Sequence, residues 1–67
     1  MFSVGQKVKV VAGSYFIGLY GYIVTVSLST CDVEVVYNPS FSQNSIVFPW
    51  TFLFSELEPI NDESDNA

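Results

Sequence analysis

Tyr22-Ile23-Val24-Thr25-Val26-Ser27-Leu28-Ser29-Thr30-Cys31-Asp32-Val33-Glu34-Val35-Val36-Tyr37 reads as two β-strands joined by a tight connection. Tyr22 to Leu28 is rich in β-branched side chains, which lose rotamer freedom in a helix and pack well on a pleated surface. Asp32 to Tyr37 alternates, so Val33, Val35 and Tyr37 are expected to face inward, with Asp32 and Glu34 turned to water. Ser29-Thr30-Cys31 is the expected hairpin connection between them. A lone hairpin is marginal in water, so further strands must supply the rest of an apolar face.

Those strands are found on both sides. Toward the N-terminus, Lys7-Val8-Lys9-Val10 alternates strictly, placing Val8 and Val10 on one face and both lysines in water. Toward the C-terminus, Asn38 to Ser45 is a polar loop with one inward ring, Phe41, after which Ile46-Val47-Phe48 resumes a strand. Pro49 has no N–H for a ladder, so this strand ends there or lies at an edge or bulge. Phe52 to Leu57 carries apolar residues at helical offsets but is too short for a stable helix. A single 3₁₀ turn is expected there, before a last strand from Leu57 to Ile60 that Pro59 keeps on an edge.

The expectation is thus an all-β domain over residues 1–60, a small five-stranded SH3-like barrel with one 3₁₀ turn before the last strand. A sandwich needs about 100 residues. The expected core is Val8, Val10, Ile23, Val26, Val33, Val35, Phe48 and Leu57. Gly13, Gly18 and Gly21 are structural glycines, with Gly18 and Gly21 permitting positive φ in a tight loop.

Charge divides the chain. Its net −5 arises near the end, because Lys7 and Lys9 balance Asp32 and Glu34, leaving Glu56, Glu58, Asp62, Glu63 and Asp65 unbalanced. Residues 61–67 have almost nothing apolar to anchor them and are expected to form a flexible, disordered acidic tail. Val10 to Cys31 is uncharged and about as long as a bilayer span, yet its glycines, hydroxyls and β-branched residues indicate strand, loop and strand. No membrane span is expected, and Met1-Phe2-Ser3-Val4-Gly5 lacks the basic start of a secretory signal.

The residue types also narrow the chemistry. With one cysteine and no histidine, neither an internal disulfide nor a metal site is expected, and no cofactor is implied. A free thiol points to a reducing compartment, hence the cytoplasm, and Cys31 reads as a small buried hydrophobe. No helix and no lysine follow the glycines of residues 13–21, as a phosphate cradle would require. Asp32 and Glu34 share a solvated face, where a bridge to Lys7 or Lys9 is more natural than acid–base work. A non-enzyme is expected.

Aromatic residues are in surplus, with six Phe, four Tyr and one Trp in 67 residues. A core of this size cannot hold them all, and Tyr15, Phe16, Tyr20, Tyr22 and Trp50 are the candidates for exposure at a partner-binding site. They would form a patch from the Gly13–Gly21 loop and the Phe48-Pro49-Trp50 segment.

Two resemblances bear on this. Gly5-x-x-Val8-x-Val10-x-x-Gly13, followed by Gly18-x-x-Gly21-x-Ile23-x-x-Val26, resembles the KOW motif, which implies a strand, a glycine loop and a second strand opening a small barrel. Across more of the chain, Gly5…Val8-x-Val10, Ser14-Tyr15-Phe16, Gly21-x-Ile23-x-x-Val26, Val35-Val36-Tyr37 and Phe52-x-x-Ser55-Glu56-Leu57 are similar to the photosystem I subunit IV family. That resemblance implies an SH3-like barrel that docks on a larger complex and helps a soluble partner bind. The closing Phe52 to Glu58 also resembles the end of many small bacterial and phage-encoded SH3-like proteins.

The expected function is a non-catalytic protein-binding module, an accessory or inhibitory subunit docking on a larger protein or complex through an aromatic loop face. The alternative is a KOW- or OB-like nucleic-acid-binding protein stacking bases on the same rings. Two lysines and no arginine argue against nucleic acid, because phosphate neutralisation needs cations. A groove for proline-rich peptides and acidic DNA mimicry are weaker options, and the edge formed by residues 46–60 offers a route to a homo-oligomer.

Overall fold

A computed structural model describes residues 2–13, 15–39 and 44–60. It is all-β. Five antiparallel strands, β1 (Lys7–Val10), β2 (Tyr20–Val26), β3 (Thr30–Tyr37), β4 (Ile46–Leu53) and β5 (Leu57–Pro59), form one sheet in the order β4-β3-β2-β1-β5. A 3₁₀ turn, η1 (Phe54–Glu56), separates β4 from β5 as the sequence predicts. The acidic tail expected at 61–67 and the ring of Phe41 lie outside the described residues. No helix among the described residues is long and apolar enough to cross a membrane.

The strand order carries a geometric consequence. In a flat sheet the outer strands of five would lie about 19 Å apart, at ~4.8 Å per strand. A three-residue 3₁₀ turn advances only about 6 Å, yet η1 connects the two edges. The sheet must therefore curl, bringing the ends of β4 and β5 that η1 joins near each other while leaving these two edge strands unpaired. Its concave face holds the core: Val8, Val10, Ile23, Cys31, Val33, Val35, Phe52 and Leu57 are all buried.

Several expectations are corrected at this level. The β2–β3 hairpin turns over Ser27 to Ser29, not Ser29 to Cys31, and Ser27 N–H closes it by donating to Thr30 O at 2.8 Å. β2 starts two residues earlier than expected and ends at Val26, which lets Tyr20 and Gly21 pair with Val36 and Val35. Of the two readings of Pro49 the edge position holds, and β4 continues through it to Leu53, because an edge strand tolerates a residue without an N–H. Tyr37 is 41% exposed, not inward, since it lies at the end of β3 opposite Ile46, which is also exposed. Val26 and Phe48 pack at the margin of the core, and Phe52 takes the central place on β4.

Ile23 and Val26 cannot share a face in a regular strand, being three residues apart. A bulge resolves this: Ile23 pairs with Val33 and Thr25 with Asp32, leaving Val24 as the extra residue. Beyond it, Val26 returns to the core side opposite Cys31.

Gly21 is a correction of another kind. It is a buried strand residue paired with both Val8 and Val35, not a positive-φ loop glycine. A Cβ there would stand 2.3 Å from Glu34 O and 2.7 Å from Val33 Cγ1, so only glycine permits the approach of β2 to β3. Gly18 does adopt the expected positive φ, at +96°.

Cys31 is fully buried, as the sequence predicts. Burial first, and the Asp32 carboxylate second, push its thiol above the ordinary value of 9.0. The thiolate is thus disfavoured in the folded state. The stabilisation linked to this group is complete below about pH 9 and is lost as pH rises through the higher folded value. Alkylation by iodoacetamide at pH 8 is expected to be at least ~100-fold slower in native buffer than in urea. Between pH 8 and 10.5, stability is expected to fall more steeply for the natural chain than for Cys31→Ala. Equal alkylation rates in the two solvents would place the thiol at the surface.

Candidate functional site

The described residues between β1 and β2, 11–13 and 15–19, are fastened at several points. Gly18 N–H donates to Val10 O and Val10 N–H to Leu19 O, both at 2.9 Å, which folds the segment back over the end of β1. Val11 N–H donates to Glu56 O at 2.9 Å, tying the same segment to η1. Between these ties the backbone of Phe16 is left-handed, at φ +68°, a conformation that disfavours side chains larger than glycine.

Packing holds it there. The Phe16 ring lies 5.1 Å from Phe48 and 4.9 Å from Trp50, the latter edge-on at 76°. Tyr15 completes the group, 6.0 Å from Phe16 and 6.5 Å from Trp50. These separations and tilts are those at which aromatic quadrupoles attract, at about 0.5–1.5 kcal/mol per pair beyond area burial.

β4 explains why this cluster opens outward. Phe48, Trp50 and Phe52 alternate onto the core side, opposite Val35, Val33 and Cys31. Phe52 is 3% exposed whereas Trp50, on the same edge strand, is 44% exposed. Tyr15 stands above it at 66%. The loop and the edge strand therefore present a continuous aromatic surface rooted in the core through Phe16 and Phe48.

The five rings expected to form one patch are divided by the fold. Tyr15, Phe16 and Trp50 meet; Tyr20 and Tyr22 do not join them. The latter two sit on the convex face, in register with Lys9 and Lys7, and pack against each other at 6.2 Å. Lys7 Nζ lies 4.7 Å above the centre of the Tyr20 ring, a cation–π contact.

Two recesses flank Trp50. One, of about 400 Å³, lies over β3 and β4 and is bordered by Val24, Asp32, Glu34, Pro49 and Thr51. Here Thr51 Oγ1 donates to Asp32 Oδ1 at 2.7 Å, an anchor for Asp32 across the strands that the expected lysine bridges did not include. The other, of about 160 Å³, is bordered by Gly13, Tyr15, Trp50, Phe52 and Glu56. Glu56 is positioned by η1: its Oε1 accepts from Leu53 N–H at 2.9 Å, one half of a capping box. The sequence reading overlooked Glu56 as part of a site, because Leu53 is not a capping residue and nothing local marks the turn that holds the carboxylate.

Among the described residues, no group of three metal-binding side chains converges. Compared with known proteins, the chain matches no family model, no curated protein and no solved structure.

Proposed function

We propose that the chain is a non-catalytic protein-binding module, an accessory or inhibitory subunit that docks on a larger protein through Tyr15, Phe16, Phe48 and Trp50. One observation carries this reading: rings that hold each other in place also remain open to solvent. Tyr and Trp ordered before binding lose little rotamer entropy when a partner covers them, which is why such residues dominate interface energetics. The curled five-stranded sheet is read as an SH3-like barrel, a reading supported by the short η1 between its edges.

Base stacking on the same rings is the weaker reading. Lys7 and Lys9 alternate with buried Val8 and Val10 and so project from the opposite face, away from Tyr15 and Trp50. Nothing basic among the described residues flanks the aromatic cluster to neutralise phosphate.

Capture of partners from native lysate, with and without nuclease, tests the proposal. The natural chain is expected to retain one dominant protein at near-equal stoichiometry, indifferent to nuclease. Tyr15→Ala and Trp50→Ala are each expected to weaken that binding by about 2 kcal/mol, roughly thirtyfold, with circular dichroism unchanged. Retention that vanishes with nuclease, or that survives both substitutions, would overturn it.

A further inference from the structure

Resting on the docking reading above, we propose that the recess between Gly13, Tyr15, Trp50 and Glu56 receives a cationic side chain, arginine or lysine, from the partner protein. The recess has about 160 Å³ of space, room for the head of one long side chain rather than for a folded element. Its walls are of two kinds. Tyr15 and Trp50 stand 6.5 Å apart with their planes at 71°, forming a corner of two π-systems that attracts positive charge. The carboxylate-bearing side chain of Glu56 borders the same recess.

That carboxylate is held for the purpose by local structure. Oε1 is engaged by Leu53 N–H, which fixes the side chain, and among the described residues no donor reaches Oε2. Oε2 lies 2.8 Å from where a Cβ on Gly13 would stand, so it rests directly against the bare backbone of that glycine. Gly13 itself has φ +105°, and any side chain there would occupy the space beside the acid. Glycine thus keeps one wall open and the charge accessible.

Charge complementarity fixes the sign of the occupant. The chain has a net charge of −5 and only two cations, both carried by β1 on the convex face. An anionic group brought to Glu56 would meet repulsion with nothing in the recess to offset it. An uncharged apolar group would leave a half-buried carboxylate without compensation. A guanidinium or ammonium satisfies both walls at once: it stacks on the rings and donates to Oε2.

The test uses three short peptides of matched size on the whole ¹⁵N-labelled chain: acetyl-Leu-Arg-Leu-amide, its citrulline analogue, and acetyl-Leu-Leu-Leu-amide. Citrulline keeps the shape of arginine and removes its charge. The arginine peptide is expected to shift the Gly13 amide and the Trp50 indole N–H, with the citrulline peptide binding about tenfold more weakly or worse. Glu56→Gln keeps an oxygen for Leu53 N–H while removing the charge, and is expected to erase the preference for arginine. The peptide comparison on the natural chain stands even if that variant fails to fold.

Equal shifts at Gly13 and Trp50 from all three peptides would overturn the cation proposal and leave the docking face intact. Arginine binding that maps elsewhere, or a preference that survives in folded Glu56→Gln, would overturn it as well. Silence from every peptide would also overturn it, while the docking reading would continue to be judged by the Trp50→Ala capture experiment.

Discussion

Gly21→Ala is expected to abolish cooperative folding at ambient temperature. The added methyl would stand 2.3 Å from the Glu34 carbonyl oxygen and 2.7 Å from Val33 Cγ1. The first neighbour is backbone and has no rotamer by which to yield. Relief requires β2 to move off β3, yet Gly21 is also paired with Val8 on β1, so the strand is held from both sides. Overpacking of this kind costs about 3 kcal/mol or more when the obstacle cannot shift. A chain of 67 residues has a total stability of roughly 3–10 kcal/mol at ~0.05–0.15 kcal/mol per residue. Urea unfolding followed by circular dichroism, with amide dispersion in ¹⁵N spectra, reads the outcome. A variant with the unfolding midpoint of the natural chain would mean that the two strands are farther apart at this point than 2.3 Å implies.

Phe52→Ala is the second large effect, and its value lies in comparison with Trp50→Ala. Both residues sit on β4, both turn to the concave side, and they are neighbours in the alternation. Phe52 is 3% exposed opposite fully buried Cys31, so truncation leaves a cavity among Val, Leu and Cys side chains that the sheet cannot collapse to fill. A loss of about 3–5 kcal/mol is expected, enough to unfold much of the population. Trp50 is 44% exposed and its contacts are chiefly with Tyr15 and Phe16. Its truncation is expected to cost about 1–2 kcal/mol and to preserve the fold. Equal losses at the two positions would assign Trp50 to the core and remove the anchor of the docking face.

The contrast between these two residues marks where sequence reasoning stops. Alternation at Lys7–Val10 and Asp32–Val35 is unambiguous because charged residues interleave with valines, and both strands were anticipated with their buried faces. Around β4 there is no such punctuation: Phe48-Pro49-Trp50-Thr51-Phe52-Leu53-Phe54 is apolar at most positions. Its offsets fit a strand, a turn or a helix start equally well, so Phe52 could not be distinguished from its neighbours. Pro49 left two readings open, a strand end or an edge position, and only the order of the strands decides for the edge.

The aromatic surplus was evident from composition, but the face each ring occupies was not. Tyr20 and Tyr22 go to the convex side because β2 already begins at Tyr20, a boundary set by the pairing of Gly21 with Val8 and Val35. That pairing depends on contacts far along the chain. Glu56 shows a similar limit: in sequence it merges with the acidity of the terminal region, and only η1 turns it back toward Gly13 and Trp50.

The pairing of β1 with β5, joined through Val8 to Pro59 and Val10 to Leu57, also governs when the chain can fold as it leaves the ribosome. Synthesis delivers β1 first and its second neighbour last. Until Leu57–Pro59 emerge, β1 keeps a bare edge of peptide groups and the valines beside it have no lid. The β2–β3 hairpin can form early, but the concave core cannot close around it in stages. The concave core of this domain therefore closes only once β5 has been made, and β1 offers an adhesive edge throughout the synthesis of β2, β3 and β4.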